Sequence, residues 1–220
     1  MNEIYTRPLL NDQELSQIWE IMSQAEWSRS STVGNVYLKP SQKNTEMVNG
    51  HHSPIGPIVM AALDRDAGFR DMVFPGQSTG VIVSRTDVDQ GFKVHHDVPS
   101  NGDFSTSVFL SDPDTYEGGE LTMWLGGKEQ KFALPAGHAI TYPTGIPHCV
   151  SEVTKGVRYA VVFWTTSIVR DHRYRDILAE LRKIRSLLPK SYGYDVEAAV
   201  NDPAFLIQDV ENKIIRYFLQ

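Results

Sequence analysis

The chain is nearly without cysteine. Cys149 is the only one in 220 residues, so an internal disulfide and a cysteine-based zinc cluster are both excluded and stability must come from packing. No apolar run approaches the roughly 20 residues that cross a bilayer, and the opening MNEIYTRPLL lacks the basic-then-apolar order of a secretory signal. A cytoplasmic protein with no membrane partner is expected. Gly 16 and Pro 12 are too few for a fibrous or low-complexity chain. Positive charge is also short: 21 Lys and Arg stand against 27 Asp and Glu, a net charge of -6. That balance argues against a nucleic-acid partner, because broad capture of phosphate backbones needs a basic surface. What is present is 41% hydrophobic and 22% charged, an ordinary globular composition, and the length suits one domain over 1–220.

Asn11 followed by Glu14 reads as a capping box, and Leu15, Ile18, Trp19 and Met22 recur at helical spacing, which predicts a first helix ending near Glu26. The stretch from Trp27 to Ser53 is polar and rich in Ser, Asn and Gly, a candidate lid in which only GNVYLK suggests a strand. Ser53-Pro54 reads as a cap with proline at the first helical position, opening a short helix through Val59, Ala62 and Leu63. From about 80 to 166 the chain turns into short β-rich runs separated by Gly, Pro, Asp and Asn, which imply a barrel or sandwich. A helical C-terminal extension over about 167–220 follows: a long amphipathic helix from Ser167, a loop from Ser191 to Asp202, and a last helix after Pro203. The first of these helices is locally basic, which is simplest as a solvated face.

In GFKVHHDVP, at the end of an expected strand, His95 and Asp97 lie two residues apart and share a face, while His96 turns away. Alone the pair means little, since seven His and 15 Asp yield about half an H-x-D by chance. His148, after a Pro-rich turn, can supply a distant third donor. Two imidazoles and one carboxylate form the facial set that holds Fe(II) and leaves positions open for oxygen chemistry. The run HCVSEV-TKG-VRYAVVFW reads as a hairpin turning at Lys155-Gly156, which places His148 and Arg158 on adjacent strands, roughly 13 Å apart along the sheet. That gap matches a five-carbon dicarboxylic acid gripped by the guanidinium. Pairing of Arg158 with Glu152 across the hairpin is the plain alternative.

The chain resembles the bacterial PKHD-type hydroxylases, Fe(II)- and 2-oxoglutarate-dependent dioxygenases related to prolyl and lysyl hydroxylases. GFKVHHD, TSVFLSDPDTYEGGELT, LPAGHAITYPTGIPHCVSEVTKGVRYAVVFW and SIVRD carry the resemblance. It implies an α+β fold: a double-stranded β-helix (jelly-roll) core flanked by N-terminal and C-terminal helices. It further implies iron bound by His95, Asp97 and His148, 2-oxoglutarate held by Arg158, O2 as co-substrate and ascorbate as reductant. The family usually has a tyrosine where this chain has Thr86, so Thr86, or Tyr142 in its place, is expected at the co-substrate. Gly118, Gly119, Glu120 and Leu121 match the family's GGEL, and Glu120 can face the cavity.

The implied reaction is hydroxylation of an unactivated C–H bond in a peptidyl proline or lysine or in a small metabolite, with release of succinate and CO2. Trp124 and Trp164 are candidates to line the substrate pocket, as is Lys39 if its loop folds inward. A homodimer through the C-terminal helices is a further expectation. Competing readings are an AlkB-like nucleic-acid demethylase, disfavoured by Trp164 where such proteins carry a second arginine, and a non-catalytic cupin-like metal-binding jelly roll. A dimerising structural protein is a third.

Overall fold

The structure, a computed structural model, describes residues 4–30, 43–189 and 196–219. Strict alternation along three neighbouring strands sets the layers. In β14 (Arg158–Ser167) Val161 and Phe163 point to one face, while Arg158, Val162 and Trp164 point to the other. In β7 (Phe104–Phe109) Phe104 and Val108 join the first face, and Ser107 and Phe109 the second. In β5 (Ile82–Thr86) Val83 divides from Ile82 and Ser84 in the same way.

The first face is covered by α1 (Asp12–Ser23), α2 (Ile55–Arg65) and α3 (Ala67–Val73), whose Ile18, Val59, Leu63 and Phe69 close the principal apolar core. Burying side chains of this size stabilises the fold by ~1.5–3 kcal/mol each. The antiparallel sheet runs β1 (Tyr5–Pro8), β11 (His138–Pro143), β7, β14, β5, β3 (Thr45–Met47) and β2 (Trp27–Arg29), with β4 (Pro75–Ser78) also on β14. A second sheet of β10 (Lys128–Phe132), β9 (Leu121–Leu125), β12 (His148–Val150) and β6 (Phe92–His95) lies over the other face. Phe109, Leu121, Met123, Ile140 and Tyr142 fill one end of the space between the sheets. The result is a jelly roll flanked by helices.

The capping box of α1 forms as expected: Asn11 Oδ1 accepts from the Glu14 backbone at 2.9 Å and the Glu14 carboxylate accepts from the Asn11 backbone at 3.0 Å. The helix ends at Ser23, three residues before the expected Glu26. Pro54 rather than Ser53 takes the cap of α2, and the Ser53 hydroxyl donates back to the Gly50 carbonyl. Within the expected lid, β2 and β3 pair and extend the main sheet, and a short 3-10 turn at Gly50–His52 follows them; GNVYLK and the rest of 31–42 lie outside the described residues.

His148 and Arg158 do not sit on a hairpin. β12 pairs with β6 and β9, β14 pairs with β5 and β7, and β13 (Val153–Gly156) between them pairs with β8 (Tyr116–Gly118). The Lys155-Gly156 dipeptide therefore belongs to a strand, and the two side chains face one another from different sheets.

Ser167 closes β14, and the following helix, α4 (His172–Leu187), starts later than expected, with Asp171 accepting from the Arg173 backbone. The expected loop contains α5 (Val196–Asn201). α6 (Pro203–Phe218) packs on α4 through Arg185 and Glu211 and, with Ile214, Ile215 and Phe218, covers Phe74, Val169 and Leu178.

Candidate metal centre

His95 ends β6 and His148 opens β12, and the antiparallel register sets these two residues directly opposite each other. Asp97 follows His95 by two positions and shares its side. One donor atom from each of the three lies within 4.8 Å of the others. His95 Nε2 is 3.4 Å from Asp97 Oδ1, and His148 Nε2 is 3.6 Å from Oδ2. Each imidazole meets a backbone carbonyl with its other nitrogen: His95 Nδ1 with Lys93 O at 2.8 Å, and His148 Nδ1 with Ile146 O at 2.9 Å. A carbonyl only accepts, so both Nδ1 atoms donate to the backbone, and both Nε2 atoms are turned toward the carboxylate, where a metal would be held.

Asp97 and His148 are buried, and Ser105 Oγ donates to Asp97 Oδ2 at 2.5 Å. Burial pushes the Asp97 carboxyl up, but His95, the charge of His148 and Ser105 outweigh it and hold the group below its ordinary value. Burial lowers the His148 pKa, against the upward pull of Asp97. His96 is exposed at the cavity mouth with Nδ1 on the Gly145 carbonyl at 2.9 Å, apart from the three donors.

The three donors stand in the wall of a cavity of about 510 Å³ between the sheets, with Arg158 and Tyr142 in the same wall. Arg158 is buried, its Nε has no hydrogen-bond partner, and among the described residues it makes no ion pair. Its guanidinium lies 5.1 Å from the Phe109 ring centre, and the Tyr116 hydroxyl lies beside it without reaching hydrogen-bond geometry. Burial lowers the Arg158 pKa, yet a guanidinium stays charged at neutral pH. A buried cation with an idle donor facing a cavity calls for an anion. Gly119 makes room for it: φ is +68°, and a Cβ there would lie 2.9 Å from Val153 Cγ2 and 3.1 Å from Arg158 Cδ. Burial, and then the charge of Asp97, push the Tyr142 hydroxyl far above its ordinary value, so it remains a donor.

The other expected residues divide. Thr86 is buried opposite Arg158 in the β5–β14 register but is not part of the cavity wall. Trp164 does line the cavity, its indole N–H near Asp97 but outside hydrogen-bond geometry. Trp124 does not line it, because alternation in β9 turns Leu121 and Met123 inward and leaves Trp124 on the outer side. Lys39 lies outside the described residues. Glu120 is held by the Ser151 hydroxyl, away from the cavity. Sequence reasoning missed Ser105, Asn44 and Glu46; the run of three hydroxyl residues, Ser105, Thr106 and Ser107, within β7 was the one available signal.

Residues 81–166 match the model of the 2OG-Fe(II) oxygenase superfamily. A PKHD-type hydroxylase of Gluconacetobacter diazotrophicus is 31% identical over 202 residues, covering 84% of this chain and 89% of that protein. One from Paracoccus denitrificans is 34% identical over 197 residues, covering 82% and 87%. The chain belongs to the PKHD-type hydroxylases. A Pseudomonas putida prolyl-4-hydroxylase superposes with a TM-score of 0.59 at 14% identity, over 74% of this chain and 92% of that one. A Trichoplax adhaerens prolyl hydroxylase in complex with a hypoxia inducible factor peptide fragment superposes with 0.58 at 16%, over 75% and 84%. At these identities the superpositions speak to fold. This PKHD-type hydroxylase is thus a 2OG-Fe(II) dioxygenase, and its family implies Fe(II), 2-oxoglutarate and O2. The His95, Asp97 and His148 donor set fits iron, and the unpartnered guanidinium fits a carboxylate.

Proposed function

We propose that this PKHD-type hydroxylase binds Fe(II) through His95, Asp97 and His148 and anchors the far carboxylate of 2-oxoglutarate on Arg158. It uses O2 to hydroxylate an unactivated C–H bond of a peptidyl prolyl or lysyl residue or of a small metabolite, releasing succinate and CO2, with ascorbate as reductant. The observation that carries the reading is Arg158: a buried guanidinium with an idle Nε, in the wall of the cavity that also holds the three donors. Bound iron supplies the oxygen-activating chemistry that side chains lack. The protein's part is positional. The Lys93 and Ile146 carbonyls accept from the Nδ1 atoms of both imidazoles and orient the rings, Ser105 holds one oxygen of Asp97, and Tyr142 stays protonated in the cavity wall. Ile82, Val162 and Leu121 give the wall apolar surface that sheds water as substrate enters. A prolyl substrate is suggested by the solved relatives that are prolyl hydroxylases.

Anaerobic addition of Fe(II) and 2-oxoglutarate is expected to produce a weak visible charge-transfer band. Arg158→Ala should raise the 2-oxoglutarate concentration needed for that band by at least about 30-fold, the penalty for truncating one side of a buried charged pair. Absence of the band, or an unchanged titration in Arg158→Ala, overturns the reading.

The proposal includes a homodimer through α4 and α6. α4 meets its neighbours through Tyr174, Leu178 and Arg182, and α6 through Glu211, Ile215 and Phe218. Exposed Ile177, Ile184, Leu206, Val210 and Tyr217 are left outward. Light scattering should give twice the chain mass, and a monomer mass at high concentration refutes this part.

A further inference from the structure

Among the described residues, four buried side-chain polar atoms have no hydrogen-bond partner, and two of them, Arg158 Nε and Tyr116 Oη, belong to neighbouring side chains. Register and packing bring the two together. Tyr116 on β8 pairs with Gly156 on β13, two residues before Arg158. Both side chains also meet one point, since a Cβ on Gly119 would lie 3.1 Å from Arg158 Cδ and 3.3 Å from Tyr116 Cε2. Thr86, expected at the co-substrate, is not in the cavity wall. Burial raises the Tyr116 hydroxyl above its ordinary value, against the charge of Arg158, so it stays a neutral phenol. It can accept a hydrogen bond but cannot discharge the guanidinium.

We infer that Tyr116 is the positioning residue of the anion site: its hydroxyl accepts the Arg158 Nε–H once a carboxylate occupies the two terminal nitrogens, and so fixes the plane of the guanidinium. The inference rests on the oxygenase reading above. Nε is the guanidinium nitrogen sealed from solvent without a partner, and Arg158 borders the cavity whereas Tyr116 does not. An anion entering from the cavity therefore meets the terminal nitrogens, and Nε has to be satisfied by protein from behind. The guanidinium is one rigid planar fork, so a bidentate carboxylate that sets its orientation also sets the direction of Nε–H. As the two atoms stand, neither is satisfied, which costs stability. Their hydrogen bond is a gain tied to anion binding, and it strengthens the grip of Arg158 without adding charge.

The test compares wild type with Tyr116→Phe, which keeps the ring and removes only the hydroxyl. Anaerobic calorimetry of the whole chain loaded with Fe(II) should show 2-oxoglutarate binding about tenfold more weakly in the variant, the factor expected for one hydrogen bond to a charged group. Fe(II) affinity should be unchanged, and the metal-free Tm should be unchanged or higher, because the phenol oxygen has no partner to lose. Equal 2-oxoglutarate affinity in the two proteins overturns the inference. A lower metal-free Tm in the variant overturns it too, since the hydroxyl would then be a structural contact. A wild type that takes up Fe(II) but no 2-oxoglutarate fails the oxygenase reading itself, a result distinct from equal, measurable affinities.

Discussion

Ser105 has no accessible surface, and its hydroxyl lies 2.5 Å from Asp97 Oδ2 and 3.4 Å from Thr144 Oγ1. By occupying one carboxylate oxygen it leaves Oδ1, on the His95 side, free to turn to a metal. Ser105→Ala removes that donor from a buried acceptor, and outer partners of this kind typically contribute about 10–100-fold to metal affinity. An Fe(II) titration of Ser105→Ala should show a loss in that range, with Ser105→Thr recovering part of it. Unchanged affinity in Ser105→Ala would reduce Ser105 to packing. The His-x-Asp pair was legible because residues two apart in extended chain share a face, and Asp97 keeps that relation just past the end of β6. Ser105 was not legible, since its role exists only once β7 passes beneath the loop after β6.

At the level of elements, the connection from β8 to β9 decides whether Arg158 has space. Gly118 and Gly119 both have positive φ, at +74° and +68°, a backbone region that costs other residues ~1–3 kcal/mol. At Gly119 an added Cβ also meets Arg158 Cδ and Val153 Cγ2. Gly119→Ala should therefore weaken 2-oxoglutarate binding more than Fe(II) binding, because the crowded side chain belongs to the anion site and not to the donor set. Separate titrations of metal and co-substrate distinguish this from general loss of fold, which would reduce both. The GGEL motif showed that glycines were wanted; the reason lies in strands β13 and β14, more than 30 positions away, which bring Val153 and Arg158 against the turn.

For the molecule as a whole, the three apolar clusters are built without His95, Asp97 or His148. The fold should therefore persist when metal is removed. Chelation is expected to leave the far-ultraviolet circular dichroism intact and to lower Tm by roughly 5–10 °C, the linkage lost when a ligand at about 100 times its Kd is withdrawn from a chain of this size. Unfolding on chelation would instead assign the ion a structural role.

The sequence by itself determined the local features: the α1 cap, the alternation that puts Arg158, Val162 and Trp164 on one side of β14, and the facing of His95 with Asp97. Each depends on dihedral preferences and side-chain periodicity over a few residues. Only the tertiary structure decided which strands meet. The expected hairpin failed because closeness in sequence does not set pairing once β13 turns aside to β8, and His148 finds its partner 53 positions upstream at His95. Strand pairing is a choice among distant segments, made by burying both faces of the main sheet at once, and no window of sequence contains that competition.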